Sequence, residues 1–195
     1  MPSLLEQLVQ RSPLPLDSSV WQLLERSYAT GKRHYHTLDH VLEVAGHYGE
    51  VPTWQRGREV FAAVLFHDAV YEVGQHDNEE RSADLAKTHL KGVDTARVAE
   101  LILLTAQHGK LGPGQVDPEA ALFLDCDMAI LGSSPERFAL YEQQVRDEYC
   151  AVIPPELYAA GRARFLEGLR NKDRVFLSDF FHQRYGAAAR RNLGG

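Results

Sequence analysis

Three short pieces of the chain carry residue types that can hold a cation or move a proton. The first is the run Arg33-His34-Tyr35-His36-Thr37-Leu38-Asp39-His40, the second the adjacent pair His67-Asp68, and the third Asp125 and Asp127 on either side of Cys126. With a helix beginning near Thr37, His36 and His40 stand about one turn apart and can face one pocket. His67-Asp68 follows the apolar stretch Ala62 to Phe66. An imidazole and a carboxylate at the end of a buried helix are costly unless they are paired or bound to a cation. Asp125 and Asp127 are embedded in apolar residues as well, and need the same compensation. Six of the nine histidines lie between positions 34 and 76.

Each piece alone has a plain explanation: a chance dipeptide, surface histidines, an aspartate capping a helix or meeting an arginine. Together they supply mixed nitrogen and oxygen donors suited to a divalent metal, namely manganese, ferrous iron, cobalt, nickel, zinc or magnesium. Residue types leave open whether His36 or His40, and Asp125 or Asp127, would be the ligand.

The elements that must position these groups read as helices. Asp17-Ser18 can cap a helix carrying Val20, Leu23, Leu24 and Tyr28 before Gly31. Thr37 can cap a second with Leu38, Val41, Leu42 and Ala45 on its apolar side, ended by Gly49. A third runs from about Arg56 into Phe66-His67-Asp68, and a fourth opens near Asn78, the expected cap, with Glu79-Glu80 in its first turn. Helical spacing continues over Thr95 to His108 and Pro118 to Leu131. Ser134-Pro135-Glu136 is a strong start signal for a helix to about Cys150. Pro155 opens another through Leu169, followed by a short C-terminal helix or two. Gly109 to Pro118 reads as a surface loop, and no strand-like alternation appears. The expected fold class is all-α: one helical domain over 1–195, with a metal-site core at about 18–150 and helices in 155–192 packed on it.

The ordered segments Arg33-His34-Tyr35-His36…His40, Phe66-His67-Asp68-Ala69-Val70-Tyr71, Asn78-Glu79-Glu80-Arg81-Ser82-Ala83, Asp125-Cys126-Asp127…Ile130-Leu131-Gly132 and Tyr141…Val145-Arg146-Asp147-Glu148-Tyr149 resemble the HD superfamily of metal-dependent phosphohydrolases. Within it the chain is most similar to a bacterial group of HD phosphohydrolases of comparable length, and the resemblance spans most of the chain. It implies a metal held by His40, His67, Asp68 and Asp127. His40 fits the family register because Val44 and Ala45 follow it, whereas His36 does not. The segment Tyr35-His36…His40 is also similar to that of cyclic-nucleotide phosphodiesterases, which implies that His36 donates a proton to the leaving oxygen. Asp125 is then left to orient a neighbour. Metal chemistry of this kind lowers the pKa of a bound water, so that hydroxide attacks phosphorus. Asp68 and Glu72 join His36 as catalytic candidates, Glu72 as a base acting on that water. Arg33, Asn78, Glu79, His108, Tyr141 and Arg146 are the candidates for binding substrate, a nucleotide or another small phosphate ester or anhydride. Two alternatives stand beside hydrolysis: a di-iron oxygenase recruiting His36 and His108, and a regulatory module that binds metal or nucleotide without turnover.

Composition sets the outer bounds. With 25% charged and 44% hydrophobic residues the chain is ordinary for a globular protein, and a formal net charge of -6 argues against a surface built for nucleic-acid polymers or anionic lipid. No apolar run reaches the roughly 18 residues of a membrane span. The N-terminal residues do not read as a signal peptide. Cys126 and Cys150 fit a reducing compartment better than a disulfide framework. A cytoplasmic location is the expectation. Metal identity, nuclearity and oligomeric state are not written in the sequence.

Overall fold

Seven consecutive residues, Val60 to Phe66, are all buried in one helix. An apolar helix that is hidden all round belongs at the centre of a bundle, and this one ends directly at His67-Asp68. The structure, a computed structural model, describes residues 2–194. Among these the chain is all-helical, with no strand. No helix among them is long and apolar enough to cross a membrane.

Contacts divide the chain into two compact units, residues 1–106 and 107–195. The first holds α1 (Leu4–Arg11), α2 (Ser18–Tyr28), α3 (Leu38–Glu50), α4 (Gly57–Phe66), α5 (Asn78–His89) and α6 (Thr95–Thr105). Helix α4 packs on α3, α5 and α6, while α5 lies along α6 and α1 on α3. Phe61, Phe66, Leu24, Leu65, Leu101 and Ile102 fill the interior. Gly31 has φ +71, a left-handed turn that a side chain would oppose, and it redirects the chain from α2 into the segment carrying Arg33 and His36.

The second unit holds α7 (Pro118–Met128), a 3-10 turn (Ala129–Gly132), α8 (Pro135–Cys150), α9 (Pro155–Arg170) and α10 (Asp179–Asn192). Helix α10 packs on the 3-10 turn and α7, and α9 on α8. Phe123, Leu124, Leu131, Phe176 and Phe181 form its interior.

The caps expected at Asp17, Thr37 and Ser134 fall at helix starts, although only the Ser134 hydroxyl bonds its helix, accepting from the Arg137 N–H. Several boundaries differ from expectation: α6 stops at Thr105, short of His108, and α7 at Met128, where the 3-10 turn takes over before Leu131. Asp77, not Asn78, is the residue before α5, because the Asn78 side chain reaches back to main chain at Glu72 instead of bonding its own first turn. Helix α1 was not among the expected elements. A capping box forms it: Ser3 accepts from the Glu6 N–H, and Glu6 accepts from the Ser3 N–H.

Candidate metal centre

His40 lies in the first turn of α3 and is 3% exposed; His67 follows α4 and is 1% exposed. Their Nε2 atoms are 3.1 Å apart. Asp68 Oδ2 lies 3.1 Å from His67 Nε2 and 3.5 Å from His40 Nε2. The His67 ring is oriented locally: its Nδ1 donates to the Val64 carbonyl at 2.9 Å, one turn back in α4. That bond orients the ring and turns its Nε2 toward His40 and Asp68, as a partner on the other ring nitrogen does for a ligating histidine. Two imidazole nitrogens and a carboxylate oxygen meeting in a buried place need a shared proton or a cation, and as donors they fit a divalent metal.

Burial pushes the Asp68 carboxyl up, but the charges of His67 and His36 and hydrogen bonds from His40 and His67 outweigh it, holding the group well below the usual carboxylate range. His36 is half-buried, its ring stacked on Tyr71 with centroids 3.9 Å apart and 5.8 Å from the His40 ring. Tyr35 is buried and stands 4.7 Å from His40, centroid to centroid. The first unit thus gathers His36, His40, His67 and Asp68.

Other residues singled out in this unit are engaged elsewhere. Arg33 donates to the main-chain carbonyls of His36 at 3.1 Å, Asp68 at 2.7 Å and Ala69 at 3.2 Å. Its guanidinium carbon also lies 5.4 Å from the Tyr28 ring centre and 5.8 Å from that of Tyr71. The Glu72 carboxylate is more than half exposed and accepts from Arg81 at 2.6 Å, an unsuitable place for a base acting beside the histidines. Asn78 holds Glu72 by main chain, accepting from its N–H and donating to its carbonyl, each at 3.0 Å. Glu79 is half-buried in the first turn of α5.

In the second unit the two aspartates of α7 do different work. Residues two apart on a helix are turned by about 200°, so they face opposite sides. Asp125 is 1% exposed and accepts from the Leu177 N–H at 2.8 Å, the Ser178 N–H at 2.7 Å and the Ser178 hydroxyl at 2.6 Å. It therefore anchors the start of α10. Burial pushes its carboxyl up to about 6, against hydrogen bonds from Ser178 and Leu177 and the charge of Arg174, which pull it down. Asp127 lies with its Oδ2 3.4 Å from His108 Nδ1, and both side chains are only partly exposed.

Tyr141 is buried, with the Arg162 guanidinium 4.9 Å from its ring centre, and burial raises its pKa above the ordinary value. Arg162 is also paired with Glu142. Arg146 is exposed along the open groove between α8 and α9, near Asp147, Tyr158 and Arg162. Tyr149 packs on Tyr158, ring centres 5.7 Å apart.

Sequence reasoning gave no role to Ser82 or Tyr71. Ser82 is fully buried and bonds the main chain of Val70 in both directions, at 3.0 and 3.1 Å. The available signal was spacing: Asn78 and Ser82 are polar residues four apart on one face of a helix start.

No protein-family model matches the chain, and no curated protein or solved structure does so either.

Proposed function

We propose that the chain is a metal-dependent phosphohydrolase acting on a nucleotide or another small phosphate ester or anhydride. One observation carries the metal half of this reading: the buried Nε2 atoms of His40 and His67, 3.1 Å apart, converge with Asp68 Oδ2. The substrate half rests on the resemblance of the ordered motifs to the HD superfamily. In this reading His40, His67 and Asp68 hold the cation, and the resemblance to the HD superfamily implies Asp127 as a further donor. The preference for Asp127 over Asp125 is supported by the three hydrogen bonds that Asp125 accepts at the start of α10. A bound divalent metal would supply Lewis-acid chemistry and lower the pKa of water to about neutrality. His36, stacked face to face with Tyr71, gives a proton to the leaving oxygen in this reading.

The test is metal analysis of the purified protein, followed by a panel of nucleotides and phosphate esters with manganese, iron, cobalt, nickel, zinc or magnesium added back. Asp68→Ala is expected to lose both bound metal and turnover. Full turnover by metal-free Asp68→Ala protein would overturn the proposal. About two irons per chain together with oxygen uptake would replace hydrolysis by an oxygenase reading, in which His36 and His108 are the extra ligands.

A further inference from the structure

The main chain just after His67 leaves the helix; the Ala69 N–H still bonds the Phe66 carbonyl, and side chains take up most of the other groups. The carbonyls of Asp68 and Ala69 accept from Arg33. The N–H and carbonyl of Val70 both bond the Ser82 hydroxyl, which accepts from one and donates to the other. The N–H and carbonyl of Glu72 bond the Asn78 amide in the same paired way. Asn78 and Ser82 stand one turn apart on α5, so they face 70–72 as a strand edge would, with side-chain atoms in place of backbone. Buried main-chain groups need such partners, and Ser82 at 0% and Asn78 at 8% exposure are buried with them. Arg33 fixes two functions at once, because its guanidinium also bonds the His36 carbonyl and lies over Tyr71, the ring on which His36 stacks.

We propose that Arg33, Asn78 and Ser82 are positioning residues: they clamp residues 68–72, and thereby set the Asp68 carboxylate and the His36 ring, instead of binding substrate phosphate. The proposal rests on the metal-hydrolase reading above. It assigns a cause to two motifs at once, the Arg33-to-His36 run and the Asn78-to-Ser82 run. Both act on one five-residue segment from opposite sides in sequence.

The experiment compares Ser82→Ala, Asn78→Ala and Arg33→Ala with the intact chain and with Thr88→Ala, an exposed α5 hydroxyl that bonds only its own helix at Asp84. Three quantities are read: cobalt(II) affinity by titration of its visible spectrum, kcat and KM on p-nitrophenyl phosphate and bis(p-nitrophenyl) phosphate, and amide exchange at Val70 and Glu72. Clamping predicts cobalt affinity lowered by about 10–100-fold, the range for groups that orient a ligand. It further predicts kcat lowered by one common factor for both esters, KM little changed, and faster exchange confined to the 68–72 segment. Thr88→Ala should match the intact chain throughout. A raised KM that differs between the esters, with cobalt affinity and exchange unchanged, would make these residues substrate contacts and overturn the proposal. Ser82→Ala removes a single oxygen, so it keeps the test readable if the larger truncations unfold. Failure of the intact chain to bind cobalt would instead defeat the metal reading, and the positioning role with it; the exchange data would then report the clamp alone.

Discussion

Replacing Asp125 by alanine should show that this aspartate of α7 holds the fold, whereas the proposed reading gives its neighbour Asp127 to the metal. The carboxylate accepts three hydrogen bonds, from Leu177 N–H, Ser178 N–H and Ser178 Oγ, at 2.6 to 2.8 Å. A net contribution of about 1 kcal/mol each gives about 3 kcal/mol at pH 7, the exposed end of α10 and a small void being the consequence. For a chain of this size that lowers Tm by about 6–12 °C. The pH dependence has a definite sign. The Asp125 carboxyl is pushed from 3.8 up to about 6 in the folded protein, so the folded state takes up its proton first. The stabilisation from that proton is fully present below about pH 4 and is lost as pH rises through 6, some two pH units worth about 3 kcal/mol. The gap between the intact protein and Asp125→Ala should therefore widen as pH falls from 7 to 5. Urea unfolding at pH 5, 6 and 7, followed by metal content, measures both effects. On the proposed metal-hydrolase reading, Asp127→Ala, by contrast, is expected to lose metal and the extra Tm that metal would confer, with a smaller change in the metal-free protein. An Asp125→Ala protein that keeps its metal-free stability while losing metal would refute the division of labour.

Two further outcomes follow from the geometry. A Cβ on Gly132 would fall 2.6 Å from Tyr185 Cβ and 2.8 Å from the Tyr185 carbonyl oxygen, so Gly132→Ala should destabilise by about 2–3 kcal/mol in thermal unfolding. Tyr185→Ala should fail to rescue it, since alanine keeps both atoms that clash. Glu72→Gln should change turnover less than about twofold, because that carboxylate is spent on Arg81 at the surface; a loss of about 100-fold would restore it as a catalytic base.

Much of the helical frame was legible in the chain. Ser134-Pro135, Pro118 and Pro155 open α8, α7 and α9 because proline at a first helical position loses no hydrogen bond. The apolar run into His67 marks α4, and the resulting buried imidazole and acid mark a place where polarity needs a partner. The capping box at Ser3 and Glu6 that starts α1 is equally local, since both partners lie within four residues of chain.

What the sequence by itself determined, then, is what depends on neighbours along the chain: caps, helix periods, and the His67 ring held by a carbonyl one turn behind it. Tertiary structure alone decided where long side chains spend their hydrogen bonds. Arg33 looked like a phosphate binder because a guanidinium suits an oxyanion, yet carbonyls 35 and 36 residues away take its donors. Asp125 and Asp127 were alike as donors until Leu177 and Ser178, more than 50 residues downstream, engaged one of them. The physical reason is the same in both cases: a hydrogen bond depends on where an acceptor lies in space, and residue type fixes only the capacity to make it.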